Sequence, residues 1–186
     1  MRILLAWSGG LDSTYSLFRY LDEGHEVHAH HIIIKSNQYR WEFEKEAVDK
    51  IRSLIKSDKF FYNESEVDLL NFSWAARDML TVGFMMGHAM NDIGVRTHKP
   101  VDVWTTGAHY HTGRSDRIKR AIKMAELVCH DAPVPPHYDP VDGIPVTKDE
   151  EREYLEKKGV LKYVWSCRTP LLGKECGGCE TCLGKN

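Results

Sequence analysis

The strongest constraint on the fold comes from the first two dozen residues. "RILLAW" (residues 2–7) is a short apolar run that stops at Gly9-Gly10. "DSTYSLFRYLDEG" follows at once, with apolar and aromatic residues at helical spacing and a stop at Gly24. A buried strand that turns through two glycines straight into a helix is the first half of a βαβ unit. The rest of the chain keeps that rhythm. "EVHAHHIII" is rich in β-branched residues and predicts a second strand. "WEFEKEAVDKIRSLI" predicts a helix with Trp41, Ala47, Val48, Ile51, Leu54 and Ile55 on one face. "KFFYN" predicts a third strand, "SWAARDMLTVGFMMGHAMNDIG" a buried helix weakened by Gly83 and Gly87, and "VDVWTTG" a fourth strand. "SDRIKRAIKMAELV" predicts an amphipathic helix and the proline-rich "DAPVPPHYDPVDGIP" a loop. "TKDEEREYLEKKG" has Thr147 and Glu150 in capping-box register, and "VLKYVW" predicts a last short strand.

Strands alternating with helices predict an α/β, Rossmann-like fold with a mainly parallel sheet flanked by helices. Ligands of such sheets sit beyond the carboxyl ends of the strands, where the opening glycines fall. A length of 186 residues fits one domain: residues 1–165 as a nucleotide-binding body and 166–186 as a cysteine tail packed on it. A net charge of −2 supplies no general basic field, so direct nucleic-acid binding is not expected. No apolar run is long enough to cross a bilayer, and the opening residues lack the features of a secretory leader. A reducing cytoplasm is therefore the expected compartment.

"SGGLDST" (residues 8–14) carries the first chemistry. A glycine-rich strand-to-helix turn brings backbone N–H groups close to an anion, and the helix adds its positive N-terminal end. Ser8, Ser13 and Thr14 add hydroxyls, with Gly9, Gly10 and Leu11 as the backbone. Asp12 repels phosphate, and makes sense if Mg²⁺ lies between them or if it caps the helix. A purely structural turn with a capping aspartate is the competing reading. No Gly-Lys-Ser/Thr follows, so this is not a Walker loop, and the spaced glycines of a dinucleotide fingerprint are missing.

Four of the five cysteines crowd the last twenty residues as Cys167-x8-Cys176-x2-Cys179-x2-Cys182. Four thiolates at such spacing suit a tetrahedral Zn²⁺, structural because no position is left for water. Free thiols, redox cysteines or an iron–sulfur cluster are the alternatives.

The loop resembles the PP-loop of the ATP pyrophosphatase superfamily, and loop and tail together resemble the QueC family, the 7-cyano-7-deazaguanine synthases. Ser166-Cys167-Arg168 is similar to the Ser-Cys-Arg that often opens the family's cysteine motif. Pro145 to Glu150 is similar to its Pro…Thr-Lys segment, with Lys148 as the lysine. Gly107, Gly113 and Asp116 match its loop after the fourth strand, and Gln38 its Gln-rich segment before the second helix. The chain departs from the family at Arg114-Ser115-Asp116-Arg117, where a Tyr-Pro-Asp-Cys-Arg run is usual, and at Arg77-Asp78 in place of Arg-Asn.

The resemblance implies an adenine nucleotide alpha hydrolase-type fold with ATP and Mg²⁺ at Ser8 to Thr14. It implies Ser8, Asp12, Arg77 and Lys148 as catalytic residues, and structural zinc in the tail. The implied reaction is ATP-dependent conversion of 7-carboxy-7-deazaguanine and ammonia to the amide and then the nitrile, with release of AMP and pyrophosphate. Gln38, His109 and Asp116 would meet that acceptor, and a homodimer is compatible with the chain. The rivals are a PP-loop enzyme acting on another carboxylate or a tRNA base, and a non-catalytic nucleotide-binding module. A thiolating enzyme needs a sulfur-handling cysteine or cluster near the loop, and the only lone candidate is Cys129.

Overall fold

The computed structural model describes residues 1–72, 78–107, 115–129, 133–138, 146–179 and 181–183. In chain order these form β1 (Arg2–Ala6), α1 (Leu11–Asp22), β2 (Glu26–Lys35), α2 (Trp41–Leu54) and β3 (Phe60–Asp68). After them come α3 (Asp78–Thr97), β4 (Val103–Thr105), α4 (Ser115–Val128), α5 (Lys148–Lys157) and a 3₁₀ turn (Leu161–Tyr163). The four strands make one sheet in the order β3-β2-β1-β4, and every pairing is parallel. The fold is α/β and Rossmann-like, as the alternation of elements predicts.

Strand alternation divides the core between the two faces. Ile3, Leu5 and Trp7 of the first strand and its extension pack with Val27 and Ala29 against α1 and α2, meeting Leu17, Tyr20, Val48 and Ile51. Leu4 and Ala6 pack with Ile32, Ile34 and Trp104 of the sheet against α3 and α4, meeting Met86, Met90, Ala121 and Ala125. A smaller cluster of Leu11, Tyr15, Leu155 and Val160 docks α5 on α1. That docking carries the C-terminal segment to the loop after β1.

Three sequence expectations need correction. β3 runs on to Asp68, because every residue from Phe60 to Asp68 is paired or spanned in its register with β2. On α2, Ala47, Val48 and Ile51 are buried but Leu54 is exposed at the helix end. "VLKYVW" is not a strand: Leu161–Tyr163 form the 3₁₀ turn after Gly159, whose φ of 71° ends α5. Val160 and Leu161 have the composition of a strand, but their apolar surface is taken up by packing beside Leu155 and Leu11.

Candidate functional site

The loop between β1 and α1 is shaped by neighbours from three directions. Gly9 has φ 74°, and a Cβ there would lie 3.1–3.2 Å from Val48, Ala47 and the Glu44 carbonyl of α2. The first glycine thus serves the left-handed turn and the approach to α2. Gly10 has an ordinary φ of −78° and is the N-cap of α1. Its Cβ direction faces the Ser8 hydroxyl at 3.2 Å and the Trp165 carbonyl at 3.6 Å. From the far side Gly107, with φ 64°, closes on the first turn of α1; a Cβ there would lie 2.9 Å from Ser13.

Loop hydroxyls and amides converge. The Ser8 amide donates to Ser13 Oγ (3.3 Å), the Gly10 amide donates to Ser8 Oγ (3.3 Å), and the two hydroxyl oxygens are 3.2 Å apart. The Leu11 amide, first of the helix, donates to Ser166 Oγ at 3.3 Å. These donors sit at the N-terminus of α1, where the helix dipole favours an anion. Thr14 is placed otherwise: it is fully buried and its hydroxyl accepts from the Trp7 indole N–H at 3.1 Å. Its side chain therefore fixes the loop from behind.

The loop opens into a cavity of about 430 Å³ beyond the carboxyl ends of the strands. Ser8, Gly10, Leu11, Asp12 and Ser13 line it, as do Lys148 of α5 and Arg40, Glu44 and Asp78 of α2 and α3. Lys148, far away in sequence, forms an ion pair with Asp12 and stands 3.3 Å from Glu151. The capping box holds the lysine there: Glu150 N–H donates to Thr147 Oγ1 at 3.3 Å, and Thr147 N–H to Glu150 Oε2 at 2.8 Å. The Glu151 side chain is wholly buried, and its carboxyl is pushed up to about 8 by burial and then by the neighbouring Asp12 charge, against Lys148.

A second charged group faces the loop. Arg40 contacts Asp78 at 2.5 Å and Glu44 at 3.5 Å. Glu44 is pushed up to about 7, mainly by burial, with Arg40 and Arg168 opposing and Asp78 assisting. Sequence reasoning passed over Arg40, Glu44 and Glu151. Each sits in or at the start of a helix whose charged residues read as a solvated face, and only tertiary packing turns it inward. Arg40 lies at the N-terminal boundary of α2, two residues from Gln38, the expected acceptor contact. Gln38 itself is exposed and does not line the cavity. Asp116 is exposed in the first turn of α4, also outside the lining residues. Arg77, His109, Gly113 and Arg114 lie outside the described residues.

The tail cysteines come together as their spacing predicts. The sulfurs of Cys167, Cys176, Cys179 and Cys182 all lie within 4.8 Å of one another, with Cys176 and Cys182 at 3.9 Å. A tetrahedral ion with Zn–S bonds of about 2.3 Å requires sulfurs about 3.8 Å apart. The donor set therefore fits a single soft cation. A four-iron cluster spreads its thiolates further, because each ligates a different iron. The Thr181 hydroxyl, 3.1 Å from Cys179 Sγ, helps hold that thiol well below its ordinary value, toward the thiolate that binds metal. Cys129 is elsewhere: it is buried between α3 and α4, where its Sγ donates to the Gly87 carbonyl. It does not line the cavity, whereas Cys182 does.

Among the described residues no helix is long and apolar enough to cross a membrane. No protein-family model and no curated protein matches the sequence. Among solved structures, the chain is similar to a predicted subunit of a tRNA methyltransferase from Methanocaldococcus jannaschii. Identity is 16%, coverage 86% of this chain and 89% of that one, and the TM-score 0.35. It is also similar to the U34-tRNA thiolase NcsA from Methanococcus maripaludis, a structure with a four-iron, four-sulfur cluster. There identity is 15%, coverage 95% of this chain and 62% of that one, and the TM-score 0.46.

Proposed function

We propose that this protein is a PP-loop enzyme that binds ATP over residues 8–14 and adenylates an acceptor in the adjoining cavity. The observation that carries the reading is the convergence of the Ser8 and Ser13 hydroxyls, the Gly10 and Leu11 amides and the N-terminus of α1 on one cavity wall. Gly10 leaves that wall open to a phosphate, since a side chain there would project toward the Ser8 hydroxyl. Basic and acidic residues line the cavity in near balance: Arg40, Lys148, Arg152 and Arg168 against Asp12, Glu44, Asp78 and Glu175. A triphosphate therefore needs added positive charge. Mg²⁺ bound with ATP supplies it, offsetting charge on the leaving pyrophosphate. Asp12 has the carboxylate chemistry to hold that ion, and Lys148 balances Asp12.

The finer reading rests on the resemblance to 7-cyano-7-deazaguanine synthases. The acceptor is then 7-carboxy-7-deazaguanine. Its carboxylate oxygen attacks the α-phosphorus of ATP, a new P–O bond forms, and pyrophosphate leaves. Ammonia attacks the activated carbonyl carbon and AMP departs, giving the amide. A second adenylation through the amide oxygen, followed by loss of AMP and protons, gives the nitrile. The chain's contribution is positioning and charge neutralisation, with no covalent nucleophile required. Arg40 and Arg168 suit a carboxylate and phosphate, and Glu44 suits the N–H edge of a guanine-like ring. Incubation with ATP, Mg²⁺, ammonium and the carboxylate should yield AMP, pyrophosphate and the amide or nitrile. Release of ADP and phosphate in place of AMP would rule the reading out.

One observation favours a second reading. Cys182 and Thr181 line the cavity, so a tail cysteine borders the space in which an acceptor would sit. The same adenylation could then activate a tRNA base for sulfur transfer, with iron in the tail. The close spacing of the four sulfurs favours the first reading.

A further inference from the structure

The tail does more than sit beside the loop; residues just before its first cysteine are threaded into it. The Trp165 amide donates to the Gly9 carbonyl at 3.1 Å. The next residue, Ser166, takes the N–H of Leu11 on its hydroxyl and lines the cavity. The Trp165 ring stacks on Phe43 of α2 at 4.6 Å and 18°, and its indole N–H donates to the Cys167 carbonyl at 3.0 Å. Cys167 is buried, and its sulfur accepts the Cys176 amide at 3.3 Å. On the other side of the cluster Thr181 and Cys182 form cavity wall.

We propose that the cysteine metal site is part of the nucleotide site: the metal fixes the Trp165-Ser166 strap on the loop, and Ser166 donates its hydroxyl to the bound triphosphate. The inference rests on the reading of residues 8–14 as an ATP site. A serine hydroxyl that accepts from a helix-terminal amide still has its own proton to give, and Ser166 is among the residues that line the cavity. The strap is short: Ser166 is bonded to α1 on one side and joined directly to a metal ligand on the other. With the cysteines uncoordinated, the tail has little apolar core of its own, since Leu171, Leu172 and Leu183 are all exposed. The strap then keeps the Trp165 contacts with Gly9 and Phe43 but loses its anchor on the cysteine side, and the hydrogen bond from Leu11 to Ser166 weakens. Two ligands that order the same strap must bind with positive coupling, and the coupling is reciprocal. Metal raises affinity for ATP, and ATP retards loss of metal. Ser166 is a positioning and phosphate-contacting residue, separate from the metal's own ligands.

The test uses the full zinc-loaded chain and a non-hydrolysable ATP analogue with Mg²⁺. Calorimetry first measures nucleotide binding. Zinc transfer to a chromogenic chelator is then followed with and without saturating nucleotide. The expected result is zinc release slowed about fivefold or more by nucleotide, the range of ordinary allosteric coupling. Ser166→Ala should bind nucleotide about tenfold more weakly at unchanged zinc content, with much of the affinity restored in Ser166→Thr. If nucleotide binds but zinc release is unchanged and Ser166→Ala keeps wild-type affinity, the coupling is wrong while the ATP site stands. If the zinc-loaded protein binds no nucleotide, both fall.

Discussion

Gly9 and Gly10 are neighbours and are glycine for different reasons. Gly9 needs its positive φ and its contact with α2, whereas Gly10 has a conformation any residue adopts and a side-chain direction that meets the Ser8 hydroxyl, beside the cavity it lines. Gly10→Val should therefore fold, with a melting temperature near that of the wild type, and fail to form AMP; turnover at the wild-type rate would remove the loop from the site. Glu151 makes a prediction about pH. Burial, then Asp12, raises its carboxyl from an ordinary 4.5 to about 8, against the pull of Lys148. A folded-state value above the unfolded one means that the folded protein keeps a proton the unfolded chain releases. The stability this confers is fully present below about pH 4.5 and is lost as pH rises through about 8. Glu151→Gln, which mimics the protonated form, should flatten the fall in thermal stability across that range. Parallel pH profiles for the two proteins would show that Glu151 is not the group responsible.

At the scale of elements, α5 works as a lever that brings Lys148 to Asp12, and its capping box sets the lysine's place in the first turn. Thr147→Ala should cost about 1 kcal/mol of stability through the lost cap, and lower turnover beyond what the folded fraction explains. Urea melts and steady-state rates on the same preparation separate the two effects. α3 and α4 cross where Gly83 and Gly87 leave room: a Cβ on Gly83 would lie 2.3 Å from the Ala121 carbonyl oxygen. The glycines that weaken α3 as a helix in isolation are what let it pack. Gly83→Ala should destabilise the protein by about 1–3 kcal/mol through overpacking, read from the same urea melts. The sequence makes the βαβ rhythm, the loop, the capping box and the cysteine set legible, because each has a local signature in spacing or turn chemistry. It leaves the cavity's second wall illegible. Arg40, Glu44 and Glu151 belong to ordinary-looking charged helices, and only the docking of α2, α3 and α5 around the sheet edge decides which charges face inward. Leu161–Tyr163 misleads in the opposite sense, with β-branched and aromatic neighbours that fold into a 3₁₀ turn.

For the whole molecule, the described residues of the candidate site gather beyond one end of the sheet. The loop after β1, the charged wall from α2 and α3, the first turn of α5 and the cysteine tail all border one cavity. Metal analysis should find about one zinc per chain, the stoichiometry of a four-thiolate site. Cys179→Ala should lower the melting temperature along with the zinc content; a metal-free protein of full stability would contradict that assignment. The chemistry proposed for this cavity is adenylation of a carboxylate. Exchange of radiolabelled pyrophosphate into ATP tests it most directly, because exchange requires reversible attack at the α-phosphorus and no later step. With Mg²⁺ and 7-carboxy-7-deazaguanine but no ammonia, the wild type should incorporate label and Gly10→Val should not. A wild-type protein that binds ATP and this acceptor, yet moves no label into ATP in any carboxylate's presence, would contradict the account.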